Sequence, residues 1–500
     1  MKYKIISLAA VAGMLLLVIF VNQSPTPGLT RVHQHLTWEK QSQSSEVTTD
    51  PEELVTHLPI VEIRTGDKKI PGNWVYEEDG ANTGAELSED GEKTILVSVR
   101  IIDSGTGENR VEDEASVETK ARFRIRGNSS RNFSKKSYLL KLVDQDGKEN
   151  PQEIMGMSQH DQWALYGPFL DKTLMRNYMW MNLSAEVMGY APNVRYCEVI
   201  LDGAYQGLYL MMENISRGEG RVNIGAYEEG KPYTDYIVRV DKANHDIRDL
   251  NTFGNYTLRM VLGVDEQAVL SVVYPGRQKL TEEICDYIAR DFSRFEKTLY
   301  SSDYTDPIRG YRRYVDVDSF VDYYVLQEFL CNNDMCSRST YLYKDRLNKL
   351  HMGPVWDYNN MLDNYFTLQL DGSEFLYVER LWFDRLLADP YFNRKVIRRY
   401  RELRETILAE DYLMDYIDET IAYLGDSIER NYQVWGYSFD AKQLHANERL
   451  TPLERNPKSF PEAVEDMKTF IRVRGRWMDN HIDALAQYCH ESKTKSYDNR

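Results

Sequence analysis

Cysteine and histidine are scarce in this 500-residue chain, and neither occurs at a metal-binding spacing. The five cysteines include no CxxC pair, and the nine histidines include no HExxH motif. Zinc sites are built from Cys and His clustered at short spacings, so this pattern argues against a zinc site. It leaves open whether Cys331 and Cys336 form a disulfide or remain free thiols.

Positive charge is also in short supply. The chain has 61 Lys and Arg against 78 Asp and Glu, a net charge of −17, and its basic residues form no long run. Nucleic-acid binding draws its affinity from clustered Lys and Arg, so we expect no nucleic-acid partner. The chain also lacks the GxxxxGK[ST] and GxGxxG motifs, which argues against a P-loop or dinucleotide-binding fold. An acidic protein can still handle a nucleotide through a metal ion, which supplies positive charge locally.

The N-terminus predicts export. Lys2 and Lys4 precede an uncharged, mostly apolar run at residues 5–21, which as a helix spans roughly 26 Å. We therefore interpret residues 1–21 as a signal peptide or signal anchor, and favour the anchor. The positive-inside rule then places the body of the protein outside the cytoplasm. Residues 22–57 are polar and acidic, as expected of a linker.

The remaining chain predicts an α+β fold. Residues 58–230 contain several segments of alternating apolar and polar residues, one helix at 171–189, and a hairpin across the Asp-Gly at 202–203. From residue 279 the pattern is mostly helical, and it ends in a helical region at 381–490. This order matches that of a kinase-like N-lobe, although many α+β domains share it.

Two carboxylates are expected to meet in one cleft. Asp334 and Asp357 are 23 residues apart, and strand-like segments at 341–343 and 351–356 flank a turn between them. A hairpin of this length would bring its two ends together. Kinase-type phosphoryl transfer needs such a pair, because one acid orients the acceptor hydroxyl and the other holds magnesium. Taken singly, each aspartate could equally cap a turn or a helix.

A second segment, RIRGNSSRNFSKKSYLLKL at 124–142, has the composition of a phosphate-binding hairpin. Small turn residues let the backbone approach phosphates, hydroxyls donate hydrogen bonds, and cations on the flanking strands offset charge. The alternative is a solvated hairpin with ordinary surface lysines. The candidate phosphate-binding residues are Arg126, Ser129, Ser130, Lys135, Lys136 and Lys141.

Two glutamates complete the candidate nucleotide site. Glu186, on the predicted helix at 171–189, is expected to pair with one of the hairpin lysines, as in the Lys–Glu ion pair of kinases. It could equally be an exposed helix carboxylate. Glu213, at the end of a predicted strand, marks a hinge where the backbone of 213–215 would face adenine.

These segments together resemble the spore-coat CotH kinase-like family, an atypical branch of the protein-kinase fold. The resemblance covers roughly residues 58–488 and is carried by the order of RIRGNSSRNFSKKSYLLKL, LMRNYMWMNLSAEVMG, EVILDGAYQGLYLMMENI, NNDMCSRSTYLY and GPVWDYNN. It implies a two-lobed fold with a β-rich N-lobe at 58–230, a catalytic C-lobe at 231–380 and a helical extension at 381–490. It also implies ATP with Mg²⁺ or Mn²⁺, Asp334 as the catalytic aspartate, and Asp357 as the metal-binding aspartate.

The chain departs from the family pattern at two metal-binding positions. Family members often have an asparagine before the YLY strand, where this chain has Ser339, and commonly read WDxD, where it has Asn359. The expected metal ligands are therefore Asp357, Asn359 and, more weakly, Ser339. Magnesium affinity depends on ligand charge and oxygen count, so the departures weaken one of two metal positions.

The leading hypothesis from the sequence is an exported kinase that phosphorylates Ser or Thr hydroxyls of a surface or spore-coat protein. The departures at Ser339 and Asn359 favour a rival, a non-catalytic scaffold that retains only the fold. A third class, a carbohydrate-active enzyme, would also use paired carboxylates, about 5–10 Å apart across an open sugar groove. A basic hairpin beside the carboxylates would distinguish the kinase.

Overall fold

A computed structural model of the chain describes residues 31–38, 47–77, 82–105, 107–242, 250, 252–254 and 268–490. By its internal contacts the chain divides into one unit ending at Val32 and a second beginning at His33, which contains every element discussed below. The predicted signal segment at 1–21 lies outside the described residues. Within the described residues, no helix is both long and apolar enough to cross a bilayer.

Seven strands form a closed β-barrel in the order β1-β10-β11-β9-β6-β5-β4. The seven strands are β1 (Ile60–Arg64), β4 (Ile95–Ile102), β5 (Val117–Ile125), β6 (Tyr138–Val143), β9 (Gln162–Tyr166), β10 (Val194–Leu201) and β11 (Ala204–Glu213). Two small hairpins pair β2 (Trp74–Tyr76) with β3 (Asn82–Ala85) and β7 (Gln152–Ile154) with β8 (Met157–His160). Successive side chains of each strand point to opposite faces, and the inward-pointing ones, such as Val97, Val99 and Phe123, fill the barrel core.

The predicted strands in this region are confirmed, but closure of the barrel was not predicted. Strand β1 pairs in parallel with β10, placing Ile60 opposite Glu198, and antiparallel with β4, placing Ile60 opposite Ile102. This double pairing joins the first strand to strands far along the chain. The region expected to be a β-rich, kinase-like N-lobe is therefore built on a closed barrel, and the fold class is mixed α+β.

A second, four-stranded sheet has the order β13-β12-β14-β15. Its strands are β12 (Tyr236–Lys242), β13 (Ala268–Tyr274), β14 (Thr340–Lys344) and β15 (His351–Met352). Strands β14 and β15 pair antiparallel, with Leu342 opposite Met352, so the predicted hairpin between Asp334 and Asp357 is confirmed. The sheet therefore carries the two carboxylates on the segments that enter and leave its hairpin.

The α-helices of the described residues are α1 (Gln34–Thr37), α2 (Arg176–Ala185), α3 (Glu282–Leu299), α4 (Val317–Leu330), α5 (Phe383–Ala388), α6 (Pro390–Arg404), α7 (Glu410–Leu424), α8 (Asp426–Trp435) and α9 (Phe460–His481). The helix expected at 171–189 begins only at Arg176, after a turn whose backbone is held by Asp171. Its carboxylate accepts hydrogen bonds from the backbone N–H groups of Thr173 (3.1 Å) and Arg176 (2.9 Å).

Helix α4 leads directly to the first carboxylate. Asp316 caps its N-terminus by accepting from the N–H of Ser319, and Cys331 ends it in the left-handed conformation, with φ of 52°. All five cysteines are free thiols, so Cys331 and Cys336 are not bridged. A fully buried ion pair between Arg474 and Glu328 (2.6 Å) ties the C-terminal helix α9 to α4, which steadies the segment before Asp334.

Candidate active site

Asp334 and Asp357 lie close enough for their charges to interact. Asp334 is only 7% exposed, and burial, followed by the charge of Asp357, raises its pKa to about 6. Burial also raises the pKa of Asp357, which the charge of Arg126 and a hydrogen bond from Ser339 oppose. The structure thus brings together the two carboxylates that the sequence placed at the ends of one hairpin.

Two helices hold the backbone that carries Asp357. This residue has a left-handed conformation, with φ of 56° and ψ of 54°, and is followed by the buried Tyr358. The N–H of Tyr358 donates to Asn177 Oδ1 on α2 (2.9 Å). Its hydroxyl is hydrogen-bonded to Ser184 (2.8 Å) and accepts from Gln327 on α4 (3.1 Å). Helices α2 and α4 therefore fix the position of the backbone at Asp357 through their contacts with Tyr358.

The predicted metal ligands Ser339 and Asn359 have different surroundings. Ser339 Oγ donates to Asp357 Oδ2 at 2.9 Å, so its hydroxyl lies within the site. Asn359 Nδ2 instead donates to Asn360 Oδ1 at 2.7 Å. The amide that hydrogen-bonds to the Asp334 carboxylate belongs to Asn360, one residue beyond the amide predicted from the sequence.

Arg126 is the candidate phosphate-binding residue that the structure brings to the carboxylates. It follows the end of β5 in the barrel, and its guanidinium lies over the ring of Trp356, 5.3 Å from the centroid. Burial lowers the pKa of Arg126, while the nearby charge of Asp357 raises it. One cation from the predicted basic hairpin thus lies near Asp357.

The turn after Arg126 is tightly folded. Ser129 and Ser130 begin a short 3-10 helix, and Arg131 donates from its guanidinium to the carbonyls of Gly127 (2.7 Å) and Gly72 (2.9 Å). Lys136 Nζ donates to the carbonyl of Arg131 at 2.7 Å. These contacts hold the backbone of the predicted phosphate-binding turn, and Lys136 contributes by bracing it.

Lys135 and Lys141 do not have the placement expected of phosphate ligands. Lys135 is buried, and its Nζ donates to the carbonyl of Leu208 (2.6 Å) and to Asn431 Oδ1 (2.7 Å) on α8. Lys141 forms an ion pair with Glu149 at 2.6 Å. Alternate residues of β6 point into the barrel core, so Lys141 points to its outside.

The two glutamates also have other partners. Glu186 follows the end of α2 and pairs with His33 Nε2 at 3.0 Å, where a hairpin lysine was expected. Glu213 ends β11 with its side chain buried, and its Oε2 accepts from the hydroxyl of Tyr190 (2.9 Å) and the N–H of Asn193 (2.8 Å). The Glu213 side chain therefore fastens a strand end, and only its backbone remains a candidate for adenine.

Sequence reasoning missed a polar group on β12. Arg239 Nε lies 3.2 Å from Asp241 Oδ2, and Arg239 Nη1 donates to the hydroxyl of Tyr341 at 3.3 Å. The charge of Asp241 raises the pKa of both Asp334 and Asp357. The alternation in YIVRVDK indicates a strand with Arg and Asp on one face, but not what that face meets.

Within the described residues, no three His, Cys, Asp or Glu side chains are gathered at a metal-binding spacing. The donors beside Asp357 are nevertheless of the kind that Mg²⁺ prefers, with carboxylate, hydroxyl and amide oxygens. Magnesium is usually held by one or two carboxylates together with substrate phosphates and water, and does not need an all-protein cage. Asp334, Asp357 and Ser339 supply oxygen atoms of the type that bind Mg²⁺.

The described chain is thus an α+β protein with a closed barrel and an acidic site flanked by arginine. The family model described as CotH kinase protein matches residues 123–478, and the chain belongs to this family. The inner spore coat protein H of Bacillus subtilis (strain 168) is 20% identical over 363 residues, which cover 72% of this chain and 86% of that protein. The matched region includes Arg126, Asp334 and Asp357.

Proposed function

We propose that the protein is an exported CotH-family kinase that transfers the γ-phosphoryl group of ATP to Ser or Thr hydroxyls of a surface or spore-coat protein. The observation that carries this proposal is the meeting of Asp334, Asp357 and Arg126. The buried Asp334 and the half-buried Asp357 interact electrostatically, and Arg126, at the end of a barrel strand, lies near Asp357. Phosphoryl transfer by kinases depends on such positioning and charge stabilisation.

Asp334 is the proposed group that orients the acceptor hydroxyl and accepts its proton. A general base works best when its pKa lies near the operating pH, and burial beside Asp357 raises the pKa of Asp334 to about 6. Asn360 hydrogen-bonds to the Asp334 carboxylate and would keep it oriented. At neutral pH the carboxylate is ionised and ready to take a proton.

Asp357 and Arg126 are the proposed groups around the phosphates. Asp357 would hold Mg²⁺ or Mn²⁺, and Arg126 would donate to phosphate oxygens from the barrel side. When bound, the metal supplies positive charge to the β- and γ-phosphates. The compact turn at 127–132, which includes Ser129 and Ser130, offers backbone N–H groups and hydroxyls for the same phosphates.

The two-lobed kinase arrangement is part of the proposal. In this interpretation the barrel and α2 form the N-lobe at 58–230, the four-stranded sheet and α4 form the C-lobe at 231–380, and 381–490 is a helical extension. The name of the Bacillus subtilis relative supports a spore-coat or cell-surface location. Export through the segment at 1–21, retained as a membrane anchor, belongs to the same proposal.

A non-catalytic scaffold is the second candidate, and one observation favours it. The hydroxyl of Ser339 is directed to Asp357, and the amide of Asn359 to Asn360, so neither supplies the negative charge that would strengthen a metal site. A scaffold would keep the family fold and bind a coat or surface partner without phosphorylating it.

Phosphate incorporation with labelled ATP tests the two candidates. The full chain is incubated with Mg²⁺ or Mn²⁺, alone and with a Ser-rich acceptor protein, beside Asp334→Asn, Asp357→Asn and the control Asp345→Asn. Asp345 lies on the β14–β15 turn, where it accepts from the N–H of Leu347, so the control removes a charge away from the site. We expect incorporation that both site variants lose and the control keeps. Absence of incorporation together with no nucleotide-dependent rise in melting temperature would establish the scaffold.

A further inference from the structure

Asp241 lies at the end of the β12–β14 pairing that is nearest in sequence to Ser339, the residue that contacts Asp357. Strands β12 and β14 pair antiparallel, with Arg239 opposite Tyr341 and Val240 opposite Thr340. Val240–Thr340 is the last pair, and the next residues along the two segments are Asp241 and Ser339, the latter just before the start of β14. Because Ser339 Oγ donates to Asp357 Oδ2 at 2.9 Å, this register brings Asp241 to the edge of the acidic site.

The Asp241 side chain is on the same face of the sheet as the site. Val238 and Val240 are buried in the core on one face of β12, so Arg239 and Asp241 share the other. Two contacts agree with this assignment: Arg239 Nε lies 3.2 Å from Asp241 Oδ2, and Arg239 Nη1 donates to the hydroxyl of Tyr341. The charge of Asp241 is felt by both other carboxylates of the site, whose pKa values it raises.

Asp241 keeps capacity for a further ligand. Its Oδ1 accepts from the N–H of Lys242 at 2.8 Å, and its Oδ2 faces Arg239. An ionised carboxylate has about four acceptor positions, so these two contacts fix its orientation without exhausting them. Carboxylates that bind a metal are commonly oriented in this way, by outer-shell groups that contact the same carboxylate.

We propose that Asp241 is a metal-binding residue that, together with Asp357, holds the divalent cation accompanying the nucleotide. The inference rests on the proposed kinase function for the use of a metal–nucleotide substrate. It explains how a site with serine at 339 and asparagine at 359 retains enough negative charge, since affinity for magnesium increases with the charge of its ligands. The second carboxylate comes from another strand and not from the segment that follows Asp357.

Binding of Mn²⁺ to the full chain without nucleotide, measured by calorimetry and by the EPR signal of free Mn²⁺, tests this inference. We expect Asp241→Asn to weaken Mn²⁺ binding at least about tenfold. Asp241→Glu keeps the charge and should restore part of the loss. Asp345→Asn, on the β14–β15 turn, serves as the control and should bind Mn²⁺ as the wild type does.

Arg239→Gln separates metal binding from a folding defect. If Asp241 faces a cation, removal of the neighbouring positive charge should strengthen Mn²⁺ binding, opposite in direction to Asp241→Asn. If Asp241 serves only as the ion-pair partner of Arg239, both variants lower the melting temperature and shift Mn²⁺ affinity in the same direction, which overturns the inference.

The outcomes also separate this inference from the proposed function. Wild-type Mn²⁺ binding that is lost in Asp357→Asn but retained in Asp241→Asn would overturn the role of Asp241 and leave the kinase proposal intact. If the wild-type protein binds no Mn²⁺ and incorporates no phosphate, both the kinase function and the metal-binding role of Asp241 are contradicted.

Discussion

Ser339 Oγ donates a hydrogen bond to Asp357 Oδ2 at 2.9 Å, which links the segment after Asp334 to the segment after β15. Both residues have left-handed backbone conformations, with φ of 47° for Ser339 and 56° for Asp357. The hydroxyl supplies a hydrogen-bond donor to one oxygen of this half-buried carboxylate, and the bond opposes the rise in the Asp357 pKa that burial causes. This contact therefore stabilises Asp357 at the position where we propose that the carboxylate binds a metal ion.

Replacement of Ser339 by asparagine should strengthen the metal site. An amide supplies an oxygen ligand, and asparagine tolerates the left-handed conformation of this position better than most residues. We expect Ser339→Asn to increase Mn²⁺ affinity and phosphate incorporation by about 2–10-fold. Ser339→Ala, which removes the bond to Asp357, should lower both. An increase in the alanine variant equal to that in the asparagine variant would contradict the ligand role.

Neutralisation of Asp334 should stabilise the protein at pH 8. Its pKa is raised from 3.8 to about 6, so the folded state binds more protons than the unfolded state between these values. The free energy of unfolding therefore falls as the pH rises through this window, and the penalty is fully present above pH 6. We expect Asp334→Asn to gain about 1–3 kcal/mol at pH 8, seen as a melting temperature a few degrees higher.

The pH dependence of that gain is the control. Below about pH 3, under both pKa values, the wild-type carboxyl is protonated in the folded and the unfolded state, so wild type and Asp334→Asn should melt at the same temperature. A difference that is equal at about pH 3 and at pH 8 would show that the asparagine acts through packing and not through charge.

Gly127 is required by the turn proposed to bind phosphates. Its φ is 111°, and a Cβ added there would lie 1.9 Å from Ser130 Oγ. We expect Gly127→Ala to raise the KM for ATP and to destabilise the fold by about 1–2 kcal/mol. Gly147→Ala is a matched control, since its φ is 80° but a Cβ meets nothing within 4 Å. The control carries the backbone strain without the clash, so an equal effect on KM in both variants would exclude a role for the turn.

Arg126 and Lys141 should differ in their effect on nucleotide binding, although both belong to the basic hairpin. Arg126 lies beside Asp357, whereas Lys141 is paired with Glu149 on the outside of the barrel. We expect Arg126→Gln to abolish most of the rise in melting temperature caused by ATP with Mg²⁺. Lys141→Gln should retain it. The reverse result would mean that the nucleotide binds on the outer face of β6.

The sequence by itself determined the local elements. Alternation in KTILVSVRII specified β4, and turn residues between two short strands specified the β14–β15 hairpin. The meeting of Asp334 and Asp357 followed from that hairpin, because a hairpin returns its ends to one place. Each of these features involves residues that are close in sequence, within one element or one pair of adjacent strands. The periodicity of apolar residues is sufficient to predict such features.

Only the tertiary structure decided which distant residues meet. The parallel pairing of β1 with β10 closes the barrel across more than a hundred residues of chain, and no local pattern encodes that register. The alternation of β6 places Lys141 on the outside of the barrel. The pairing of β12 with β14 brings Asp241 near the site. Cross-strand register and the closure of a sheet depend on which whole faces are buried. The pattern within a single segment does not specify this.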